Sequence, residues 1–302
     1  MKYFLFIILF FLSLSCEKIG RDYNWQGEDV PGFSRTYGTK GYDYGWKAAS
    51  SIFDDGIILV GRQQREINGQ TDLWAIKTDI KGLVVWEKTF GGKNNEEGFD
   101  VISTSDGGFL FVGYSWSFGN EQEVYAIKTD FNGTITWEKT FGGSMWDVGE
   151  AVIELREGGF LIAGHSNSPK ISSGNSDIYL IKIDNQGNII WEKGYGNLEF
   201  PNHEWAYDVN QVPDGGFLVV GGRDRYDKGS KNALIIRIDK NGDLIWEKEF
   251  LSSGNLNQVI YSINDNNNGK YFICSTENSL SNPDLYQPKI FKIDIEGNID
   301  WS

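Results

Sequence analysis

Five copies of one unit, K/R-x-D-x-x-G-x-x-x-W, recur along this 302-residue chain and constrain its fold more than any other feature. They read Lys77/Asp79/Gly82/Trp86, Lys128/Asp130/Gly133/Trp137, Lys182/Asp184/Gly187/Trp191, Arg237/Asp239/Gly242/Trp246 and Lys292/Asp294/Gly297/Trp301. The Trp-to-Trp spacings are 51, 54, 55 and 55 residues. A period of this length filled with short strand-like runs predicts an all-β fold, a β-propeller with five blades of four antiparallel strands.

The second unit shows the four strands. A first strand spans Phe99 to Ser103, and Asp106-Gly107-Gly108 turns the chain. Phe109 to Gly113 is apolar at consecutive positions, as a strand covered on both faces must be. Val124 to Thr129 follows, and Asp130-Phe131-Asn132-Gly133 reads as a type I turn into the fourth strand, Thr134 to Phe141. The turns between first and second strands and between third and fourth are nearly uniform across units, which predicts a plain lower face. The other connections vary in length and content and fall together on an upper face, where a rigid scaffold usually carries its function. Phe33 to Gly38 matches the second half of a fourth strand, and the chain stops at Trp301-Ser302 after the first half of one. The N-terminal strand is therefore expected to complete or flank the last blade and to leave no sheet edge open.

The first residues bear on location. Lys2 precedes an apolar run from Phe4 to Leu12, too short for a permanent membrane helix and right for a signal peptide. Leu12-Ser13-Leu14-Ser15-Cys16 resembles a bacterial lipobox, with Ser13 where Leu is commoner. That resemblance implies a signal peptide over 1–15, lipid on Cys16, a tether over 16–30 and the propeller over 31–302, held at the cell envelope, with the outer membrane as the expected site. The expected state is a monomer. Lys and Arg number 28 against 42 Asp and Glu, a net charge of −14. This excess of acid argues against nucleic acid and against electrostatic adhesion to anionic lipid. Cys16 and Cys274 are the only cysteines. Cys274 aligns with Val60, Val112, Ala163 and Val220 and reads as a small core residue.

Segments such as Tyr125 to Trp137 resemble the repeat of quinoprotein-like (PQQ-like) β-propellers, and the likeness covers residues 33 to 302. The resemblance implies that Trp86, Trp137, Trp191, Trp246 and Trp301 each dock against the neighbouring blade. Two departures stand out: that family's Asp-to-Gly hairpin usually has one more residue, and the family usually has more blades. Its dehydrogenases' paired cysteines and calcium ligands have no counterpart here, so no cofactor and no metal are expected.

The recurring Lys and Asp read as hairpin structure, and the Glu-Lys pairs after each Trp as solvated edge protection. His165 and His203 are the only histidines, and neither sits in a catalytic or metal-binding spacing. More promising are acidic and aromatic residues just before the first strands, which should ring the channel mouth: Tyr42, Asp43, Trp46, Glu96, Glu97, Trp146, Asp147, His203, Glu204, Trp205 and Tyr207. Single-unit residues of the upper loops join them, among them Tyr114, Trp116, Phe118, His165, Arg223, Arg225 and Tyr226. The binding set read from the sequence is Trp46, Trp116, Trp146, Trp205, Tyr226, Arg223 and Glu204. Aromatic platforms with carboxylates suit a sugar or a cationic group. The favoured reading is a non-catalytic, membrane-anchored propeller that binds an envelope protein or glycan. The alternative is a glycoside hydrolase using carboxylates from Asp43, Glu97, Asp147 and Glu204.

Overall fold

The computed structural model describes residues 34–301 apart from 66–68, 120, 173–174, 197–201, 226–229, 251–255, 267 and 280–281. Cys16, the signal peptide and the tether lie outside the described residues. Twenty strands form five four-stranded antiparallel sheets, each a simple meander. Blade 1 holds Tyr44–Ser50 (β1), Ile57–Gln64 (β2), Thr71–Thr78 (β3) and Val84–Phe90 (β4). Blade 2 holds Glu96–Ser103 (β5), Phe109–Ser115 (β6), Glu123–Thr129 (β7) and Ile135–Phe141 (β8). Blade 3 holds Asp147–Glu154 (β9), Phe160–Ser166 (β10), Asp177–Ile183 (β11) and Ile189–Tyr195 (β12). Blade 4 holds His203–Gln211 (β13), Phe217–Arg225 (β14), Ser230–Ile238 (β15) and Leu244–Phe250 (β16). Blade 5 holds Leu256–Asp265 (β17), Lys270–Ser279 (β18), Asn282–Asp294 (β19) and the short Ile299–Trp301 (β20). The fold is a five-bladed β-propeller.

The repeated motif explains each blade's outer half. Asp79 Oδ1 accepts from the amides of Lys81 and Leu83, and Asp130, Asp184 and Asp239 cap their hairpins in the same way. The glycine that follows sits at φ 71–79°, a left-handed conformation that glycine adopts without strain. In blades 1–4 the motif cation points inward and is buried, whereas Lys292 of blade 5 is half-buried and lies 3.5 Å from Asp300. Lys77 pairs with Asp54 at 2.7 Å, Lys128 with Asp106 at 2.9 Å, Lys182 with Glu157 at 2.8 Å and Arg237 with Asp214 at 2.6 Å. Each of these four cations thus ties the third strand to the turn between the first two.

The repeated Trp joins blades. Trp86 Nε1 donates to the Phe131 carbonyl at 3.0 Å and Trp137 Nε1 to that of Asn185 at 2.9 Å, both in the next blade's hairpin. A Cβ on Gly133, Gly187, Gly242 or Gly297 would meet the preceding blade's Trp at 2.7–3.2 Å, so glycine is also what lets the indole dock. Trp301 is half exposed and packs on Phe272 of its own sheet. The Glu-Lys pairs do more than face water. Glu87 accepts from Trp74 Nε1, Glu138 from the Tyr125 hydroxyl and Glu192 from the Tyr179 hydroxyl, so each satisfies a buried polar group of the third strand. Lys88 and Lys248 reach carbonyls of the next blade.

Four clusters of buried side chains fill the interfaces between blades 1 and 2, 2 and 3, 3 and 4, and 4 and 5. Among the described residues there is no fifth, between blades 5 and 1. Ile57 and Leu59 of β2 are half-buried, and Phe272 of β18 and Ile290 of β19 are 38% and 46% exposed, whereas the middle strands of blades 2–4 are fully covered. Cys274 pairs with Ser262 in the register in which Val60, Val112, Ala163 and Val220 pair with theirs, so the sequence alignment holds. It lies on the less covered side, however, and is half-buried rather than core. The expectation that no edge stays open needs a matching correction. Residues 34–38 form no strand, yet Arg35 Nε donates to the Lys81 carbonyl and Tyr37 Oη to that of Gly82 at 2.8 Å. Tyr195 makes the same bond to Gly242, so the N-terminal segment takes the place on blade 1 that a preceding fourth strand would hold. The lower face is not wholly plain either: a cavity of about 690 Å³ lies between blades 1 and 2, walled by Phe53, Asp106 and Phe131.

Candidate functional site

The innermost strands β1, β5, β9, β13 and β17 each contain one bulge at the same place, where the register skips a residue opposite the second strand. A bulge bends the strand and re-aims the extra side chain. The skipped residues are Trp46, Phe99, Glu150, Tyr207 and Tyr261. The following residues are Lys47, Asp100, Ala151, Asp208 and Ser262. Lys47 Nζ lies 3.8 Å from Asp100, and its pKa is raised by the charges of Asp100 and Asp208. Both aspartates are pushed upward by burial, and both also staple blades. Asp100 accepts from the Val152 amide of blade 3, and Asp208 from the Ile263 amide and Ser262 hydroxyl of blade 5. One cation from blade 1 therefore serves two buried acids on different blades around the axis.

Above this layer the aromatic residues pair. Trp46 meets Phe99 edge-on with centroids 5.7 Å apart, and Tyr207 stacks on Tyr261 at 5.1 Å. Glu150 occupies the fifth position. Burial and the charge of Glu97 push its carboxyl up to about 8, so it carries a proton at neutral pH. His165 Nδ1 lies 3.8 Å from its Oε1; burial pushes that imidazole down to about 4, so it is neutral. His165 Nδ1 and Trp205 Nε1 are buried without hydrogen-bond partners.

The carboxylates expected at the mouth take other roles. Asp43, Glu96 and Asp147 turn inward and close the loops that enter their blades. Asp43 accepts from Thr39 and the Gln64 amide, Glu96 from the Gly92 amide and Ser115, and Asp147 from the Gly143 amide and Ser168. Glu97 is buried and holds three donors: Trp46 Nε1 at 2.6 Å, Tyr114 Oη at 3.0 Å and Arg62 Nη1 at 3.1 Å. Glu204 and Arg223, read as ligand-facing, are 1% and 2% exposed. Arg223 binds Glu204 and Glu247 at 2.6 Å and also Glu249, which consumes the guanidinium within blade 4. The physical reason is strand periodicity: both residues face the covered side of their strands.

The tryptophans fare differently. Trp46 and Trp146 are 50% and 54% exposed; Trp116 is half-buried and meets Trp146 edge-on at 6.2 Å. Trp205 is half-buried, with Lys231 Nζ 5.3 Å above its ring. Tyr226 lies outside the described residues. A cavity of about 340 Å³ opens on the upper face between blades 1 and 2, lined by Tyr44, Arg62, Gln64, Thr71, Asn95 and Tyr114. Tyr44 stacks on Trp46, which links this cavity to the axial mouth. Sequence reasoning missed Glu150, Phe99 and Tyr261. The signal was present: Gly45-Trp46-Lys47, Gly98-Phe99-Asp100 and Gly149-Glu150-Ala151 align, and Glu150 is the odd member.

No family model and no curated protein matches the chain. Solved structures resemble it at low identity. An endo-arabinase from Bacteroides thetaiotaomicron is 12% identical, covers 82% of this chain and 92% of its own, and has a TM-score of 0.46. A GH43 endo-arabinanase from Bacillus licheniformis is 14% identical over 88% of this chain and 100% of its own, with a TM-score of 0.42. A mannose phosphorylase from Leishmania mexicana is 12% identical over 87% and 88%, with a TM-score of 0.44. Likeness at this level concerns the fold alone.

Proposed function

We propose that this chain is a binding propeller held at a bacterial envelope membrane by lipid on Cys16, and that its upper face captures a glycan without chemistry. The observation that carries the reading is the upper face itself. Exposed Tyr44, stacked on the exposed Trp46, lines a 340 Å³ cavity whose walls supply the guanidinium, amide and hydroxyl groups of Arg62, Gln64, Asn95 and Thr71. That size is at the small end of ligand pockets, ~300–1,000 Å³. Aromatic faces cover a sugar's apolar side, and the polar groups orient its hydroxyls. Glycan capture by the purified mature chain is the test. Tyr44→Ala, which removes an exposed ring from the cavity wall, should weaken capture while the melting temperature holds, and Trp146→Ala with Trp205→Ala shows whether the site extends across the face. Unchanged capture of every bound glycan by Tyr44→Ala removes the cavity from the site.

A second reading, glycoside cleavage, has one observation in its favour. Glu150 is a protonated acid within reach of the charge of Glu97, the inequality that an acid and its partner carboxylate require. Two of the three propellers compared above are named as an endo-arabinase and an endo-arabinanase, at a likeness limited to the fold. The three donors on Glu97 and its burial favour binding. Release of reducing sugar by the parent, abolished in Glu150→Gln, would establish the enzyme in its place.

A further inference from the structure

The five bulged residues have a chemistry of their own. Going round the axis they are Trp46, Phe99, Glu150, Tyr207 and Tyr261: two aromatic pairs with one carboxyl between them. The turn-forming and docking residues recur in every blade because each blade needs them. These five are not needed for strand pairing, since the bulge leaves them outside the ladder. Four of five are nonetheless aromatic, and the fifth is an acid.

Glu150 is also poorly provided for. It makes no hydrogen bond to the described residues; His165 Nδ1, 3.8 Å away, itself has no hydrogen-bond partner. A half-buried acid beside a buried imidazole nitrogen, neither of them hydrogen-bonded, leaves polar capacity at the mouth unmet. Lys47, one residue along from Trp46, does not fill the gap, because Asp100 and Asp208 draw it into the layer below.

We propose that the axial mouth is an aromatic cage for an organic ammonium group, with Trp46, Phe99, Tyr207 and Tyr261 presenting ring surface and Glu150 supplying the counter-charge. Aromatic rings around a carboxylate are how proteins hold such cations, through the negative faces of the rings and one full charge. The proposal rests on the upper face being the binding face and names the chemistry of its ligand: a glycan carrying a free amine, for which glucosamine is the simplest probe. Choline tests the same cage with a small quaternary ammonium.

Binding has a proton signature. Glu150 is protonated in the free protein, and a cation in the cage favours its ionised form, so binding releases a proton and strengthens as pH rises toward 8. The titratable groups that act on it are Glu97 from β5, His165 from β10 and Tyr207 from β13, while His203 acts on His165. His165 is already neutral across that window.

Calorimetry on the mature chain with choline, glucosamine and N-acetylglucosamine, at pH 6 and pH 9 in two buffers of different ionisation heat, tests this directly. The expected result is that choline, whose charge does not titrate, binds more tightly at pH 9 than at pH 6, and that glucosamine at pH 6, where its amine is still an ammonium, binds about tenfold or more tightly than N-acetylglucosamine. Choline binding as well as glucosamine marks a general ammonium cage; glucosamine alone marks an amino-sugar site. Glu150→Gln, an isosteric match for the protonated acid, should melt with the parent yet lose the preference for amines, the proton release and the pH dependence. Trp46→Leu gives a second variant, removing a ring without touching the acid. Equal binding of glucosamine and N-acetylglucosamine, or amine binding unchanged in Glu150→Gln, overturns the cage. Neutral glycans captured in that case would leave the broader binding reading standing.

Discussion

The docking of Trp137 can be tested with a controlled set of substitutions. Complete removal of a buried Trp costs ~3–5 kcal/mol. Trp137 is half-buried, which lowers that figure, and its indole bond to the Asn185 carbonyl at 2.9 Å restores about 1 kcal/mol. Trp137→Ala should therefore destabilise by ~2–3 kcal/mol. Its partner Gly187 gives the converse. Alanine there meets a φ of 76°, at ~1–2 kcal/mol, and its Cβ lies 3.1 Å from the Trp137 ring. Gly269 isolates the first of these costs, since it has φ 67° and a methyl added there would meet nothing within 4 Å.

The two effects separate in a double-mutant cycle read by denaturant unfolding. Gly187→Ala should cost more than Gly269→Ala in the parent. In the Trp137→Ala background the two costs should converge, because the ring is gone and only the flexible Lys139 side chain, 3.1 Å from the added methyl, still crowds it. A Gly187→Ala penalty that is identical with and without Trp137 would refute the docking, as would a Trp137→Ala protein that unfolds with the parent.

Two further outcomes concern charge and location. Arg223→Ala should lower stability by ~3–5 kcal/mol, because it strips the counter-charge from the buried Glu204. Burial already holds Glu204 at about 7, and losing the arginine raises it further. An acid raised by folding contributes stability below its unfolded pKa and loses it as pH rises through the folded value. The variant should therefore lie nearest the parent at pH 5 and furthest at pH 8, and equal gaps in urea midpoint at both would sink the argument. For Cys16→Ser, fractionation should move the protein from the membrane to the soluble fraction. Retention through high salt and mild alkali would place the anchor elsewhere.

Much of the blade was legible because its information is local. Asp79, Asp130, Asp184, Asp239 and Asp294 cap hairpins within four residues of themselves, and the docking tryptophans stand one fixed period from the glycines they cover. The register of Cys274 followed from alignment alone. The site was less legible, and for a definite reason. Alignment says which residues are equivalent, while a bulge decides which way they point. Glu150 stands two residues beyond Val148 in the sequence, yet it joins the axis with Trp46 and Tyr207, whereas Asp147 three residues earlier turns back to cap a loop. Acidity before the first strand therefore marked loop closure at Asp43, Glu96 and Asp147, and the group with unmet chemistry lay just beyond it. Nor does a repeat report whether its ends meet, since each copy encodes only its neighbours.

With four inter-blade cores among the described residues and no fifth, the molecule has the mechanics of a strip rather than a hoop. Each blade leans on the one beside it in sequence, so cohesion is nearly a sum of nearest-neighbour terms, as in stacked repeat proteins. In such a strip the outermost members are held from one side only. Amide exchange should then be slowest in blade 3 and quicken outward in both directions, reaching β2 and β18 first. Trp46 and Tyr261 belong to those two end blades. A ligand gripped by both would be the clasp that turns the strip into a ring, so ligand binding and the slowing of exchange at blades 1 and 5 should rise together.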